Sequence, residues 1–530
     1  MANFRKDTQV FGPTGHDRNV FEVPMIANKN GEVVTKANRF PVDAEISQTS
    51  GSAFGEPYAI PITPVVQFDT AYGRSPLTSQ NIIDITETGS GTVTDSGDGA
   101  LILSSGTSAG DNAALFSTRA IPYRAGQGTL GRFTAAFTTG VPNSNQRAGL
   151  TNGGNSYMFG YAGNVFGIIH TYRGKAEIRT LTINTAATGD ETATITLNGV
   201  VVTGISLTAG STTLNAAEIA RSQYLNVDGD AWRVDQIDDK VIFTSRSSRP
   251  YTGTFSFSST GTAAGTFAQT VVGVLPTSQT INTTQWDNVP LNFNPRNLNV
   301  YQIQMRWLGA GSVNFSVEDP DTGKMTVVHT KKWISSGDTS PHISKPNLRM
   351  GWSASATGTI ESPMIVKMAS AMGAVEGVIQ QSNYSLSEVN TDTTNRASGN
   401  LWHTLSVRSP WHKFNLTNTQ EVVVQRVDFA YQGNDPLVVY IFINARASSA
   451  LQFATVNTAK VLSSKTLGVT INPATYQPNV TFTVPINGTG FIDLLPYRLI
   501  LPPGQDLNIG FLSTGNVSRT TTAVTFGVNN

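Results

Sequence analysis

Asn299-Val300-Tyr301-Gln302-Ile303-Gln304-Met305-Arg306-Trp307, then Gly309-Ala310-Gly311, then Val313-Asn314-Phe315-Ser316-Val317 is the stretch that decides the fold. Tyr301, Ile303, Met305 and Trp307 fall on one face, and Gln302, Gln304 and Arg306 on the other. A period of two is that of a β-strand with one buried face. Beyond the glycine turn, Val313, Phe315 and Val317 repeat the pattern, and Asp319-Pro320-Asp321-Thr322-Gly323 turns the chain into Met325 to His329. Three consecutive antiparallel strands are expected.

Working outward, strands of similar character occur upstream at Leu101 to Leu103 and Phe133 to Phe137. Two more, Tyr157 to Tyr161 and Val165 to Ile169, are joined by Ala162-Gly163-Asn164. Residues 178–276 read differently. Ala193, Ile195 and Leu197 alternate with Thr, and Asn198-Gly199 closes a type I′ hairpin into Val200 to Val202. Asn215 with Glu218 has the spacing of a capping box for a short helix reaching about Tyr224. Trp232 and Val234 then alternate, Asp238-Asp239 turns, and Val241 and Phe243 resume. Because sandwich-like strands flank this stretch, 178–276 is expected to be a small α+β module inserted into a β-sandwich of 67–177 plus 277–372. Ala369 to Gln381 reads as helix or linker, and residues 373–389 are assigned as the linker between the two sandwiches. Alternation at Val427, Phe429 and Tyr431, followed by Val438 to Ile443, predicts a second β-sandwich over 390–530. Residues 1–66 show neither period. Pro13, Pro24, Pro41, Pro57, Pro61 and Pro64 there suggest an extended N-terminal arm. The fold class is mainly β.

Composition narrows the function. Of 530 residues only 14% are charged, against roughly 25% in an average soluble domain, and 49 Gly and 25 Pro suit short strands joined by turns. Formal net charge is zero, so no concentrated basic balance invites nucleic acid or an anionic membrane. The chain has no cysteine, which removes disulfides, thiolate metal sites and a cysteine nucleophile. Met1 to Lys6 lacks a signal-peptide apolar core, and Val438 to Ile443 is far short of the ~20 residues that span a bilayer. The expectation is no membrane partner and no classical secretion.

The run Asn299 to Gly311, with Phe315, Glu318 to Gly323 and Val328-His329, resembles a family of virion proteins of tailed phages, notably cyanophages, and of large algal viruses. The inserted stretch with Ala193 to Gly199, Glu218-Ile219-Ala220 and Trp232 is similar to an insertion those proteins carry. So is the C-terminal run Leu501-Pro502-Pro503-Gly504 before Leu507-Asn508-Ile509. The similarity extends over about residues 120–530 and is best at 299–329. It implies a concanavalin-like jelly roll, an inserted module and a C-terminal β-domain displayed on a virion, with no catalytic residues to carry over.

Motifs for chemistry are few. His16, His170, His329, His342, His403 and His412 show no metal spacing such as HExxH. Asp228-Gly229-Asp230 and Asp319-Pro320-Asp321 lack the ligand series of a calcium loop and read as turns. Glu318 and Asp319 are neighbours on a strand, which points them apart, whereas a glycosidase needs two opposed carboxylates. No phosphate-binding loop occurs. The expectations are no enzyme, no cofactor and no metal. The leading reading is a structural virion protein: a tail, baseplate, neck or fibre component, assembled in the host cytoplasm and anchored by its arm. Its partners would be other virion proteins and copies of itself. The alternatives are a capsid decoration protein, or an adhesin binding host-surface glycan through Trp402, His403, Trp411 and His412.

Overall fold

The computed structural model describes residues 62–528 except 81, 124–125, 226–231, 307, 335–340, 344, 378–384, 414–415, 418–421, 457–460, 473–474, 477 and 496–498. Trp307 and Asp228 to Asp230 therefore lie outside the described residues, as does most of the arm read over 1–66. The chain is mainly β, its strands meeting in antiparallel sheets.

The deciding stretch forms strands Asn299–Met305, Val313–Glu318 and Met325–Lys331 in consecutive antiparallel register, with Tyr301 opposite Val317 and Ile303 opposite Phe315. They form one flank of a nine-stranded sheet that continues through Thr129–Phe137, Ile365–Met368, Leu101–Ser104 and Thr92–Asp95. A seven-stranded sheet runs from Thr277–Asn282 through Val165–Tyr172, Ser156–Ala162, Ser144–Thr151, Leu348–Ala356 and Asn112–Ile121 to Ile83–Thr88. The inward residues of both sheets make one core, in which Tyr301, Ile303 and Met305 meet Phe133, Phe159 and Trp352. The other face of Asn299–Met305 is not water-exposed. Gln302 and Gln304 are buried too, Gln302 accepting from Arg132 Nη2 at 2.6 Å and Gln304 donating to Glu376 Oε1 at 2.6 Å. Paired polar groups make that burial tolerable.

Residues 178–271 build a separate core from a four-stranded sheet, a three-stranded sheet and the helix Thr212–Leu225. Asn198 (φ 54°) and Gly199 (φ 86°) form the expected two-residue hairpin turn, both in the left-handed region that a type I′ turn requires. The helix starts earlier than expected. Ser211 Oγ accepts from the Leu214 amide at 3.1 Å, whereas Asn215 lies inside the helix, fully buried, tied to Ala187 and Thr208. Asn215 is thus an internal brace rather than the cap.

Two further expectations change. Residues 62–66, placed in the arm, begin strand Ile62–Asp69 of the first sandwich. Within the helix-or-linker stretch, Ser370–Glu376 is a strand gripped between Ile62–Asp69 and Thr129–Phe137. Its Ala, Met and Glu favour helix weakly, and pairing on both edges overrides that preference. The last core lies between a five-stranded sheet centred on Val422–Gly433 and Val517–Val528 and a six-stranded sheet centred on Leu401–Arg408 and Asp506–Ser513.

Candidate functional site

Strand Trp232–Ile237 of the inserted module shows how alternation makes a site. Trp232 and Val234 point into the module's core. Their polar neighbours Arg233 and Asp235 face the second sandwich instead. Asp235 is fully buried. It takes an ion pair from Arg408 Nε at 3.3 Å and accepts the Trp411 amide at 2.7 Å. Arg408 also donates to Val234 O at 3.3 Å and lies 3.7 Å from Asp506. Phe453 N–H donates to Gln236 Oε1 at 2.6 Å, and Arg221 reaches the carbonyls of Ala447 and Ser448 at 3.0 and 3.1 Å. A buried ion pair with this many further hydrogen bonds fixes one docking geometry.

Between these bodies lies a cleft of about 340 Å³, walled by Trp232, Arg233, Arg246, Arg408, Trp411 and Phe453 among others. A smaller pocket of about 90 Å³, shared with Phe116, Asn152 and Arg349 of the first sandwich, lies against the same Arg233, Arg246 and Trp411. The Arg233 guanidinium stacks 4.3 Å from the Trp411 ring. Gly504 (φ 87°) lets the indole in, since a Cβ there would sit 2.0 Å from Trp411 Cε2. Arg349, Arg246 and Arg233 all converge on Asp84, at 3.5, 3.8 and 3.9 Å. Burial pushes the Asp84 carboxyl up, but the three guanidiniums outweigh it and hold the group below the usual carboxylate value.

The four residues singled out in the sequence do not converge. Trp411 lines the cleft. Trp402 is half-buried on strand Leu401–Arg408, its indole N–H donating to Ala397 O at 2.9 Å beneath Arg396. At roughly 3.3 Å per residue that strand holds the two tryptophans well apart. His403 is interior. Its Nδ1 faces Thr466 O at 2.8 Å and therefore carries the proton, leaving Nε2 to accept from Ser406 Oγ at 2.7 Å. Burial brings its pKa down to about 4. The His412 backbone pairs with Thr417, and its side chain lies outside the described residues. Sequence reading missed Asp84, Arg233, Asp235, Arg246, Arg349 and Arg408. The available signal was local: charged residues on strands of a chain with so few of them. Among the described residues no group of three His, Asp or Glu side chains is placed to hold a metal.

No protein-family profile and no curated protein matches the chain. Among solved structures, an engineered GH43 glycoside hydrolase with endo-xylanase and exo-arabinofuranosidase activity aligns at 11% identity and a TM-score of 0.25. The alignment covers 66% of this chain and 48% of that one, so the chain spans about half the length of that enzyme. The tandem CBM22 domains of Paenibacillus barcinonensis Xyn10C align at 9% identity and a TM-score of 0.16, covering 89% and 97%. A triple jelly-roll protein from the turret of an archaeal virus gives 6% identity and a TM-score of 0.16, covering 90% and 98%. Scores this low carry no argument about the chain.

Proposed function

We propose that the chain is a structural protein of a tailed-phage virion, a tail, baseplate, neck or fibre component, that works by packing against copies of itself and neighbouring virion proteins. The observation that supports this reading is one side of the first sandwich. Strand Thr277–Asn282 ends the seven-stranded sheet, with Val165–Tyr172 its one partner among the described strands. The chain then runs along the edge strand of the opposing sheet, where Asn288 N–H donates to Val328 O at 3.0 Å and Thr330 N–H to Asp287 Oδ2 at 2.9 Å. This one segment exposes Val272, Val274, Leu275, Val289, Leu291 and Leu298, with Leu291 90% and Leu275 66% accessible. Soluble monomers blunt sheet edges with charge or cover. Here Thr277, Ser278 and Gln279 are exposed and uncharged. Covering the almost fully exposed Leu291 would contribute about 1.5–3 kcal/mol and the partly exposed side chains less, which suits an assembling surface.

The resemblance at residues 299–329 supplies the virion context, and the stretch over 1–66 is proposed as the attachment to the particle. The test is incorporation. Leu275→Asp with Leu291→Asp removes the apolar side while leaving the core intact. The variant should fold, stay dispersed in sedimentation, and be lost from purified particles when these are assayed by mass spectrometry. Normal incorporation of the variant would count against this surface, and absence of the unaltered chain from particles would count against the function.

A further inference from the structure

The outer face of the second sandwich carries a recess that shares no wall residue with the cleft. Strands Val422–Gly433 and Val517–Val528 are each hydrogen-bonded on both edges, so their backbone groups are engaged and only side chains can hold a ligand there. The register sets Ala523, Asp428 and Phe491 in one row across three strands, and Thr521, Ala430 and Thr489 in the next. Ala523 and Ala430 make a low floor between the taller side chains. Phe491, on strand Thr489–Asp493, stands beside that floor and is 61% accessible, and the recess measures about 210 Å³. A lone exposed aromatic is ordinary. This one has company.

The Arg426 guanidinium lies over the Phe491 ring, 4.2 Å from its centre. Asp428 fixes it there, because Nε and Nη2 both donate to Oδ1, at 2.8 and 2.6 Å. Asp428 Oδ2 and Arg426 Nη1 make no hydrogen bond among the described residues, which leaves one fixed acceptor beside one fixed donor. The charges of this pair cancel. Asp493 opposes Arg426 in the register, and Arg519 lies two residues from Thr521 on the same strand, so the neighbouring charges cancel as well. A charged ligand finds no net partner here. A polyhydroxylated ring does. Its C–H groups pack against the uncovered part of the aromatic ring, and its hydroxyls both donate and accept. We propose that this recess is a binding site for a neutral saccharide, one sugar ring resting on Ala430 and Ala523 against Phe491, with its hydroxyls bonded to Arg426 and Asp428. The recess belongs to the second sandwich and the exposed assembling side to the first, so saccharide binding and particle incorporation are lost independently.

The test is calorimetric titration of the full chain with neutral gluco-, manno-, galacto- and xylo-oligosaccharides and with a uronate oligosaccharide of equal length. At least one neutral probe should bind, with an affinity that changes little as salt rises, and the uronate should bind more weakly. Phe491→Ala should weaken binding roughly tenfold or more, whereas Phe491→Tyr keeps the ring and should stay within about threefold of the unaltered chain. Arg426→Lys keeps the charge without the planar fork and should weaken binding several-fold. Both positions are exposed, so these variants should melt as the unaltered chain does. Failure of every neutral probe to bind at millimolar concentration, equal or tighter binding of the uronate, or the same affinity in Phe491→Ala as in Phe491→Tyr overturns the assignment.

Discussion

The two sandwiches reach one architecture with different core chemistry. The first is held by an aromatic network. Phe133 stacks on Tyr301 at 5.7 Å and meets Trp352 edge-on at 5.8 Å, and Phe159 lies 4.7 Å from Tyr301. The second is filled largely by aliphatic side chains such as Val427, Val439, Ile441, Leu507 and Ile509, with Phe429 and Phe511 in contact at 5.9 Å. Aromatic pairs add roughly 0.5–1.5 kcal/mol each beyond the area they bury, and they do so only in particular orientations. Aliphatic packing is less directional and tolerates volume-conserving exchange. The first sandwich should therefore be the more brittle of the two, with its stability concentrated in a few large side chains.

Trp352→Ala is the sharpest way to break that contrast. Trp352 is fully buried and its indole N–H donates to Thr134 O at 3.1 Å, so truncation should cost about 3–5 kcal/mol. Hydrogen exchange read by mass spectrometry should show the loss confined to the first sandwich, and equal deprotection of residues 401–528 would contradict it. Asp235→Ala comes next. It removes one of the two carboxylates beside the buried Arg408, leaving Asp506 at 3.7 Å, and should cost about 1.5–3 kcal/mol, splitting the calorimetric unfolding so that the second sandwich melts apart from the rest. A single unchanged transition would mean that the inserted module and the second sandwich are not coupled through this pair.

Acid should sharpen the comparison. In the first sandwich Tyr157 stacks on His170 at 4.9 Å and hydrogen-bonds His342, which itself stacks on Trp333 at 4.0 Å. Burial lowers His170 to about 3, helped by His342 and Lys331, and burial lowers His342 to about 4. A histidine held neutral in the fold takes up its proton near pH 6.5 when unfolded. Stability is then greatest above that value and falls as pH drops towards 3–4. The first sandwich has a third histidine lowered by burial, His329, whereas the second has His403 at about 4. Urea titrations at pH 7 and pH 5 should show the larger loss in the first sandwich, and equal losses would contradict the account. The smallest effect is Ile441→Val in the aliphatic core, about 0.5–1.5 kcal/mol, visible as a small shift of the urea midpoint with no change of slope.

Much of the fold was legible because strands announce themselves locally. Tyr301, Ile303 and Met305 alternate with their neighbours and do face the core, and Asn198-Gly199 names its own turn. What was hidden depends on partners far away in sequence. Gln302 and Gln304 look like surface residues until Arg132 and Glu376 are brought to them. Ser370–Glu376 reads as helix until two strands flank it. The cleft is the extreme case. Asp84, Arg233, Arg246, Arg349 and Trp411 come from three bodies, so no window along the chain contains the site. Of the aromatic residues proposed for glycan, Trp411 reached that cleft and Trp402 did not, a distinction set by the length of one strand.

The most direct test of assembly is hydrogen exchange of the purified chain beside the same chain in intact particles. Residues 272–298 should exchange readily in the free protein and become strongly protected in the particle, while the cores of both sandwiches change little. Equal exchange of 272–298 in the two states would contradict it.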